Sequence, residues 1–290
     1  MATAPPSFRT PVTYADAIFG DWNPDKAVHF MWHTHLPFAF GLTTLYIVMV
    51  HVGPRIMEKR PAFDLRRTLA IWNFALAAFS GWSLFRTSPD LFGMLYNHGL
   101  KGTMCYTGTL YTNPYTGYWT WMFALSKGPE LIDTVFLILR KRQVIFLHWY
   151  HHALTFVYGT YGSTLMVPWI RWIVNLNLFV HTIMYFYFGI RAIGWRTPSL
   201  LSKMITLTQI TQFSTMFVWL YLFYSLYDDP DCKDANFYKL GEGSVIVASY
   251  LILFIKFYRD SYGEKKRQAK KAKDAEFCDV NGNVVDKKAD

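Results

Sequence analysis

The feature that most constrains this chain is a succession of long apolar runs separated by short polar or basic segments. A helix that crosses a bilayer needs about 20 mainly apolar residues. Seven runs meet that need, at Leu36–Arg55, Arg67–Arg86, Tyr118–Leu139, Val144–Tyr161, Val167–Ile190, Leu200–Leu226 and Val245–Tyr262. Inside lipid every backbone N–H and C=O must find a partner within the chain, so the expected fold class is an all-α membrane protein of seven transmembrane helices. Composition agrees, with 52% hydrophobic and only 17% charged residues, less charge than an ordinary soluble domain carries. The expected organisation is an N-terminal segment 1–35, a membrane domain 36–262 and a basic tail 263–290. The first segment holds Pro5, Pro6, Pro11 and Pro24 and no sustained apolar core, so the first span is expected to act as the targeting signal.

Orientation follows from the basic residues. Arg55, Lys59, Arg60, Arg66 and Arg67 fall in the first loop, Arg140, Lys141 and Arg142 in the third, and Arg191, Arg196 and Lys203 in the fifth. With Lys256, Arg259 and the Lys- and Arg-rich tail, 21 of the 29 Lys and Arg lie on one face. The other face carries the long loop 88–116 and the acidic stretch Asp228-Asp229-Pro230-Asp231. The positive-inside rule makes the basic face and the C-terminus cytosolic and the N-terminus lumenal or external. Cys105 and Cys232 then share the non-cytosolic side. If that side is an oxidising lumen they can form a disulfide between the two largest lumenal loops; two free thiols are the alternative. The chain ends Lys287-Lys288-Ala289-Asp290, which matches a di-lysine signal for retrieval to the endoplasmic reticulum.

Ionisable groups inside spans are costly, which makes each a functional candidate. The third span holds Lys127, Glu130 and Asp133, the fourth His148, His151 and His152, and the fifth His181. Asn177 and Tyr185 flank His181 at four-residue steps, and Gln209 and Gln212 stand three apart on the sixth span. Residues at i, i+3 and i+4 share a helix face, so each span directs its polar stripe one way. Counted at 1.5 Å per residue from the cytosolic end of each span, these groups lie at roughly 8–15 Å depth. Four helices of alternating direction therefore bring their polar groups to one layer. Hydrogen-bonded glue between helices is the bland alternative, but four histidines and two carboxylates at one depth point to chemistry. His29, His33, His35 and His98 read as surface or interfacial residues.

Two chemistries fit. Histidines at this spacing suit iron or zinc, as in membrane desaturases and hydroxylases. The cytosolic half, with His148, His151, His152, His181 and His51, has too few for a two-iron site, while a single metal on His148, His152 and a carboxylate stays open. The second chemistry is acyl transfer. A neutral imidazole in a low-dielectric channel offers its lone pair as a general base or a nucleophile. The three cysteines fall outside the spans, which excludes a cysteine-based condensation.

Several blocks decide between them. Ser126-Lys127, Glu130-Leu131-Ile132-Asp133-Thr134, Leu139-Arg140-Lys141 and Phe146-Leu147-His148-Trp149-Tyr150-His151-His152 resemble the signature of the very-long-chain fatty acid elongases, condensing enzymes of the endoplasmic reticulum membrane. Asn177 with His181, Met184-Tyr185-Phe186-Tyr187 and Thr208-Gln209-Ile210-Thr211-Gln212-Phe213 continue the resemblance in order. It implies seven helices, with spans two to seven forming a barrel around an acyl tunnel. It also implies decarboxylative condensation of a long-chain acyl-CoA with malonyl-CoA to 3-ketoacyl-CoA, CO2 and CoA. His151 is expected to carry the acyl group, with His148, His152 and His181 orienting it, and Glu130 and Asp133 fixing histidine tautomers. Lys203, Lys256 and Arg259 are candidate CoA-phosphate partners.

The expected partners are the two CoA thioesters, membrane lipid, a second copy of the chain and other elongation-cycle enzymes. No cofactor, metal or nucleic acid is expected. Trp149 within the histidine box resembles the branch acting on saturated and monounsaturated chains, and Phe188 departs from a Tyr found in many members.

Overall fold

The computed structural model describes residues 12–226, 228–230, 232 and 237–263, with the last stretch described in its side chains from residue 241 onward. The di-lysine ending, the basic tail from 264 and Asp231 lie outside the described residues. Within them the chain is helical, with ten α-helices: α1 Tyr14–Phe19, α2 Pro24–Phe30, α3 Leu36–Glu58, α4 Arg66–Cys105, α5 Pro114–Ser126, α6 Ile132–Leu139, α7 Phe146–Ser163, α8 Ile170–Ala192, α9 Ser199–Tyr224 and α10 Phe237–Tyr262. No strand is present among the described residues. Four stretches are long and apolar enough to cross a membrane by length and composition alone: Pro24–Glu58, Arg66–Cys105, Ile170–Ala192 and Gly241–Tyr262.

The N-terminal helices start where the chain supplies caps. Thr13 and Asp16 form a reciprocal capping box at α1, and the Asn23 side chain accepts from Lys26 N with Pro24 in the first turn of α2. A π-helical turn, Met31–His35, joins α2 to α3 without a break. Residues 24–35 thus run into the first expected span without a break in the helix. His35, expected at the surface, is 3% exposed and its Nδ1 shares a 2.7 Å hydrogen bond with Tyr14 OH.

The expected loop 88–116 is mostly helix. α4 runs 40 residues, and the part before Gly99, residues 66–98, is about 50 Å long, well over the hydrocarbon thickness of a bilayer. Gly99, at φ +62°, is its one non-helical residue, a conformation glycine adopts at little cost. The true loop is 106–113, and a buried cation holds it. Arg171, 1% exposed, donates from Nε to Asp90 Oδ2 (3.0 Å) and from its terminal nitrogens to the carbonyls of Thr103, Tyr106 and Thr107 (2.8–2.9 Å). A buried charge is tolerable only when paired and fully hydrogen-bonded in this way. Cys105 and Cys232 form a disulfide beside it, their Cα atoms 4.4 Å apart. Burial pushes the Tyr111 phenol above its ordinary range, so it stays protonated and donates to Val167 O (2.9 Å).

The third expected span, Tyr118–Leu139, is broken. α5 stops at Ser126, residues Pro129–Leu131 make a 3₁₀ turn, and α6 restarts at Ile132. Pro129 has no N–H to continue an α-helix and its ring crowds the preceding turn. Gly128 sits where a Cβ would press on the Phe156 ring, at 3.2–3.4 Å.

Helix neighbours close a ring. α4 packs along α8, α8 against α9, α9 against α10, α10 against α7, α7 against α5, and α5 back against α4. α3 lies outside the ring on α6 and α7. One end of the bundle carries the Arg140–Arg142 turn and the α8–α9 connection; it is called the basic end below. The other carries Arg171 and the disulfide.

Candidate active site

The break between α5 and α6 sets the site's geometry, because the turn at 127–131 aims two charged side chains into the ring. Lys127 Nζ donates to Glu130 Oε1 (2.6 Å) and to Asn177 Oδ1 (3.2 Å) and lies 4.4 Å from the Phe123 ring centroid. Lys127 and Glu130 are both buried. Glu130 Oε1 also stands 3.7 Å from His181 Nδ1, while His181 Nε2 is 3.1 Å from Asn177 Nδ2. Lys127, Glu130, Asn177 and His181 thus form one buried network across α5, the turn and α8.

The α7 histidines cluster as their spacing requires. The His148 and His152 rings are 4.4 Å apart and those of His151 and His152 5.5 Å. His151 packs beside Tyr250, 4.8 Å between centroids, and near Phe213. His148 Nε2 shares a 2.9 Å hydrogen bond with Thr134 Oγ1, and Thr134 in turn shares a 2.8 Å bond with Tyr46 OH on α3.

Asp133 has different hydrogen-bond partners from those expected. It accepts from Trp72 Nε1 (2.7 Å) and Tyr185 OH (2.8 Å) and meets no histidine. It ties α6 to α4 and α8, and Thr134 is the α6 residue that holds a histidine in place. Gln209 Nε2 donates to Met184 Sδ (3.2 Å), and Gln212 is buried.

Two cavities meet at this layer. The larger, about 720 Å³, opens toward the basic end and is lined by His148, His151, His152, His181, Asp133, Tyr185, Gln209 and Gln212. Arg140, Arg142 and Arg191 line its outer part, as does Phe188. The smaller, about 150 Å³, extends toward the disulfide end between α5, α7, α8, α9 and α10, with Ile173, Met216 and Val247 among its apolar lining residues. His151, Asn177, Gln212 and Phe213 line both. They form the partition between a polar vestibule and an apolar pocket, and Lys127 faces the apolar side.

Lys203, Lys256 and Arg259 do not line the vestibule. Lys203 Nζ instead sits 5.8 Å from the Tyr258 ring centroid. Arg140, Arg142 and Arg191 were read from sequence as orientation charges, and Arg140 also as part of the Leu139-Arg140-Lys141 block. Their place at a cavity mouth depends on the turn after α6 and the end of α8, which one-dimensional spacing does not reveal. His51 lies outside both cavities; its Nδ1 is 2.8 Å from Ile47 O. Among the described residues no three His, Cys, Asp or Glu side chains are grouped to hold a metal ion.

Chemically, the layer offers imidazoles at the junction of a polar and an apolar space, with a buried ammonium and side-chain amides beside them. That arrangement suits a group whose reactive carbonyl sits at the junction, with a charged portion in the vestibule and an aliphatic one beyond the partition. Comparison with known proteins points the same way. Residues 31–272 match the family model described as "ELO: GNS1/SUR4 family". The chain is similar to "Long chain fatty acid elongase 2" of Caenorhabditis elegans, 40% identical over 264 residues, which are 90% of this chain and 96% of that protein. It is 36% identical to human "Very long chain fatty acid elongase 6" over 251 residues (87% and 94%) and to human "Very long chain fatty acid elongase 3" over 239 residues (82% and 86%).

Proposed function

Because this chain belongs to the ELO (GNS1/SUR4) family, we infer that it is a condensing enzyme of fatty acid elongation. It joins a fatty acyl-CoA to malonyl-CoA, giving 3-ketoacyl-CoA, CO2 and CoA, and it is a multi-pass membrane protein. The finer reading is ours: seven spans, in which α5, the 129–131 turn and α6 make one broken crossing, set in the endoplasmic reticulum membrane with the basic end cytosolic. The ring of α4 to α10 is then the barrel, and the two cavities in line are one substrate path from cytosol toward lumen.

One observation carries the mechanism: His151 stands in the partition between the polar vestibule and the apolar pocket. An acyl-CoA entering from the basic end leaves its CoA in the vestibule, its phosphates near Arg140, Arg142 and Arg191, where guanidinium groups suit phosphate oxygens. Its thioester carbonyl reaches the histidine layer and its chain passes into the pocket.

The His151 imidazole attacks the thioester carbonyl. The C–S bond breaks, the acyl-imidazole forms, and CoA leaves as the thiol after taking a proton. Malonyl-CoA follows into the vestibule. Loss of CO2 leaves its electron pair as a thioester enolate, whose carbon attacks the acyl-imidazole and expels the imidazole. The amide N–H groups of Asn177 and Gln212 and the Lys127 ammonium are the nearby donors for developing negative charge. His148, braced by Thr134, and His152 are the neighbouring groups for proton movement.

Intact-protein mass spectrometry tests the covalent step. Mixing with acyl-CoA alone gives an acyl adduct on the wild type and none on His151→Ala; an undiminished adduct on the variant assigns the nucleophile elsewhere. Release of labelled CO2 from carboxyl-labelled malonyl-CoA, dependent on acyl-CoA, tests the overall reaction.

A further inference from the structure

The apolar pocket has a length, and a side chain from outside the ring ends it. From the partition at His151, the pocket wall on α7 runs through Thr155, Tyr158 and Gly159 to Gly162. That is 11 residues, or about 17 Å at 1.5 Å per residue. On α5 the wall runs from Lys127 back to Gly117, about 15 Å by the same rise.

At the Gly117 end the pocket is lined by residues that belong to no ring helix: Trp22, Pro24, Ala27 and Val28 on one side and Tyr111 on the other. Trp22 precedes α2, in the N-terminal segment that sequence analysis assigned no role beyond leading into the first span.

Trp22 is fixed there. Its Nε1 donates to Tyr111 O (2.8 Å), and its ring makes edge and tilted contacts with Tyr118 and Trp121, centroids 6.0 and 6.2 Å apart. The residues on either side of it are anchored too, through Asn23 capping α2 and Tyr118 OH donating to Ile18 O (3.2 Å). α5 offers glycine at the point of closest approach. A Cβ on Gly117 would stand 2.8 Å from Trp22 Nε1 and would overlap Tyr111 O. The indole therefore lies flush against the α5 backbone, an approach only glycine permits. Tyr111, whose carbonyl receives the indole N–H, is itself pinned by its hydroxyl to Val167 O.

We propose that Trp22 is the acyl-chain stop of this enzyme: its indole closes the far end of the apolar pocket and sets the longest chain that can be condensed efficiently. The inference rests on the elongase reading and on His151 marking the carbonyl position. An extended chain advances about 3.6 Å per three backbone bonds, or about 1.2 Å per bond. A pocket of about 15–17 Å then holds about 12–14 bonds beyond the carbonyl, which corresponds to an acceptor of about C13–C15. Longer chains meet a rigid aromatic wall, and overfilling a packed site displaces its neighbours at a cost. A residue that acts this way changes which chains are used without taking part in bond making.

The test is a chain-length profile on purified full-length protein. Saturated acyl-CoAs from C12 to C22 are supplied singly with labelled malonyl-CoA, and CO2 release is measured for wild type, Trp22→Ala, Trp22→Phe and Val28→Trp. Trp22→Ala opens the end and moves the optimum longer by two to four carbons, raising the C20:C16 rate ratio about tenfold, the gain expected when about two of the four extra methylenes regain apolar burial. Trp22→Phe, smaller and without the N–H, gives a shift between the two. Val28→Trp fills the end and moves the optimum shorter.

An unchanged C20:C16 ratio in Trp22→Ala overturns the proposal. So does a loss uniform across chain lengths in both Trp22→Ala and Val28→Trp, because a purely structural role affects every chain alike. Wild-type protein that releases no CO2 with any chain length would instead refute the elongase reading.

Discussion

Thr134 braces His148. Its Oγ1 lies 2.9 Å from His148 Nε2 and 2.8 Å from Tyr46 OH, so a hydroxyl relay runs from α3, outside the ring, through α6 to the histidine layer. A histidine held at one nitrogen has its ring orientation set and its other nitrogen free to face the cavity. Thr134→Val keeps the shape of the side chain and removes the bond, leaving a part-buried ring nitrogen without that partner. At about 1–3 kcal/mol for an unsatisfied buried group, turnover should fall roughly 10- to 100-fold, a factor of ten per 1.36 kcal/mol. KM for malonyl-CoA should hardly move, and Thr134→Ser should restore most of the rate. Equal activity in Thr134→Val and wild type would remove Thr134 from the site.

That relay also shows where sequence stopped being sufficient. The polar stripes on α7, α8 and α9 were legible because helix periodicity fixes which residues share a face. A common depth then predicted that His148, His151, His152, His181, Asn177 and Gln212 would meet, as they do around the vestibule. Thr134 carried no such signal, since a lone threonine in an apolar segment is common and only its neighbours in space single it out. Asp133 was legible as a buried carboxylate but not by partner, because Trp72 and Tyr185 reach it from helices 61 and 52 residues away in sequence. Residues 118–139 were read as one expected span, yet Pro129 breaks the helix, and the break is what turns Lys127 and Glu130 inward. Trp22 was hidden for a similar reason. Its place depends on an N-terminal segment folding back on α5 and the 106–113 loop.

The Lys127–Glu130 pair should be costly to halve. Both side chains are buried, and Asn177 is the further acceptor on the ammonium. Removing one partner of such a pair leaves an uncompensated charge, at about 3–5 kcal/mol. Lys127→Met and Glu130→Gln should each lower the midpoint of thermal unfolding in detergent. The double variant Lys127→Met/Glu130→Leu should regain much of that stability yet stay inactive, since His181 and Asn177 have lost their charged neighbours. Single variants as stable as wild type would contradict a tight buried pair.

At the vestibule mouth, Arg142 and Arg191 should act on binding and not on chemistry. Both are exposed and line the opening, so any contact they make with CoA phosphates is partly screened by salt. Arg142→Gln and Arg191→Gln should raise KM for acyl-CoA by roughly three- to tenfold with kcat nearly constant, in keeping with about 1 kcal/mol for a partly solvated charged contact. The dependence of KM on ionic strength should flatten in the double variant. Lys256→Gln, off the cavity, serves as the comparison and should leave KM unchanged. A rise in KM for Lys256→Gln matching that of the arginines would mean that general surface charge, and not the mouth, attracts the substrate.

At the opposite end, Arg171 and the Cys105–Cys232 disulfide restrain the same stretch of chain by different means. Arg171 ties the carbonyls of Thr103, Tyr106 and Thr107 to Asp90. The disulfide joins residues 127 apart in sequence, a closure worth about 4–5 kcal/mol on a chain-entropy account. Asp90→Asn leaves a buried guanidinium without its counter-charge and should cost about 3–5 kcal/mol. Arg171→Lys should also destabilise, because a single ammonium cannot reach three carbonyls and a carboxylate in the planar fork geometry of a guanidinium. Neither residue lines the cavities, so turnover at low temperature should be unaffected while thermal unfolding midpoints fall. Because both restraints act on the 103–107 backbone, their losses should not simply add. Reducing the disulfide in Asp90→Asn should therefore change the midpoint by a different amount than reducing it in the wild type. A low-temperature loss of kcat with no change in unfolding would instead place Arg171 in the catalytic path, and additive losses would mean that the two restraints hold separate parts of the fold.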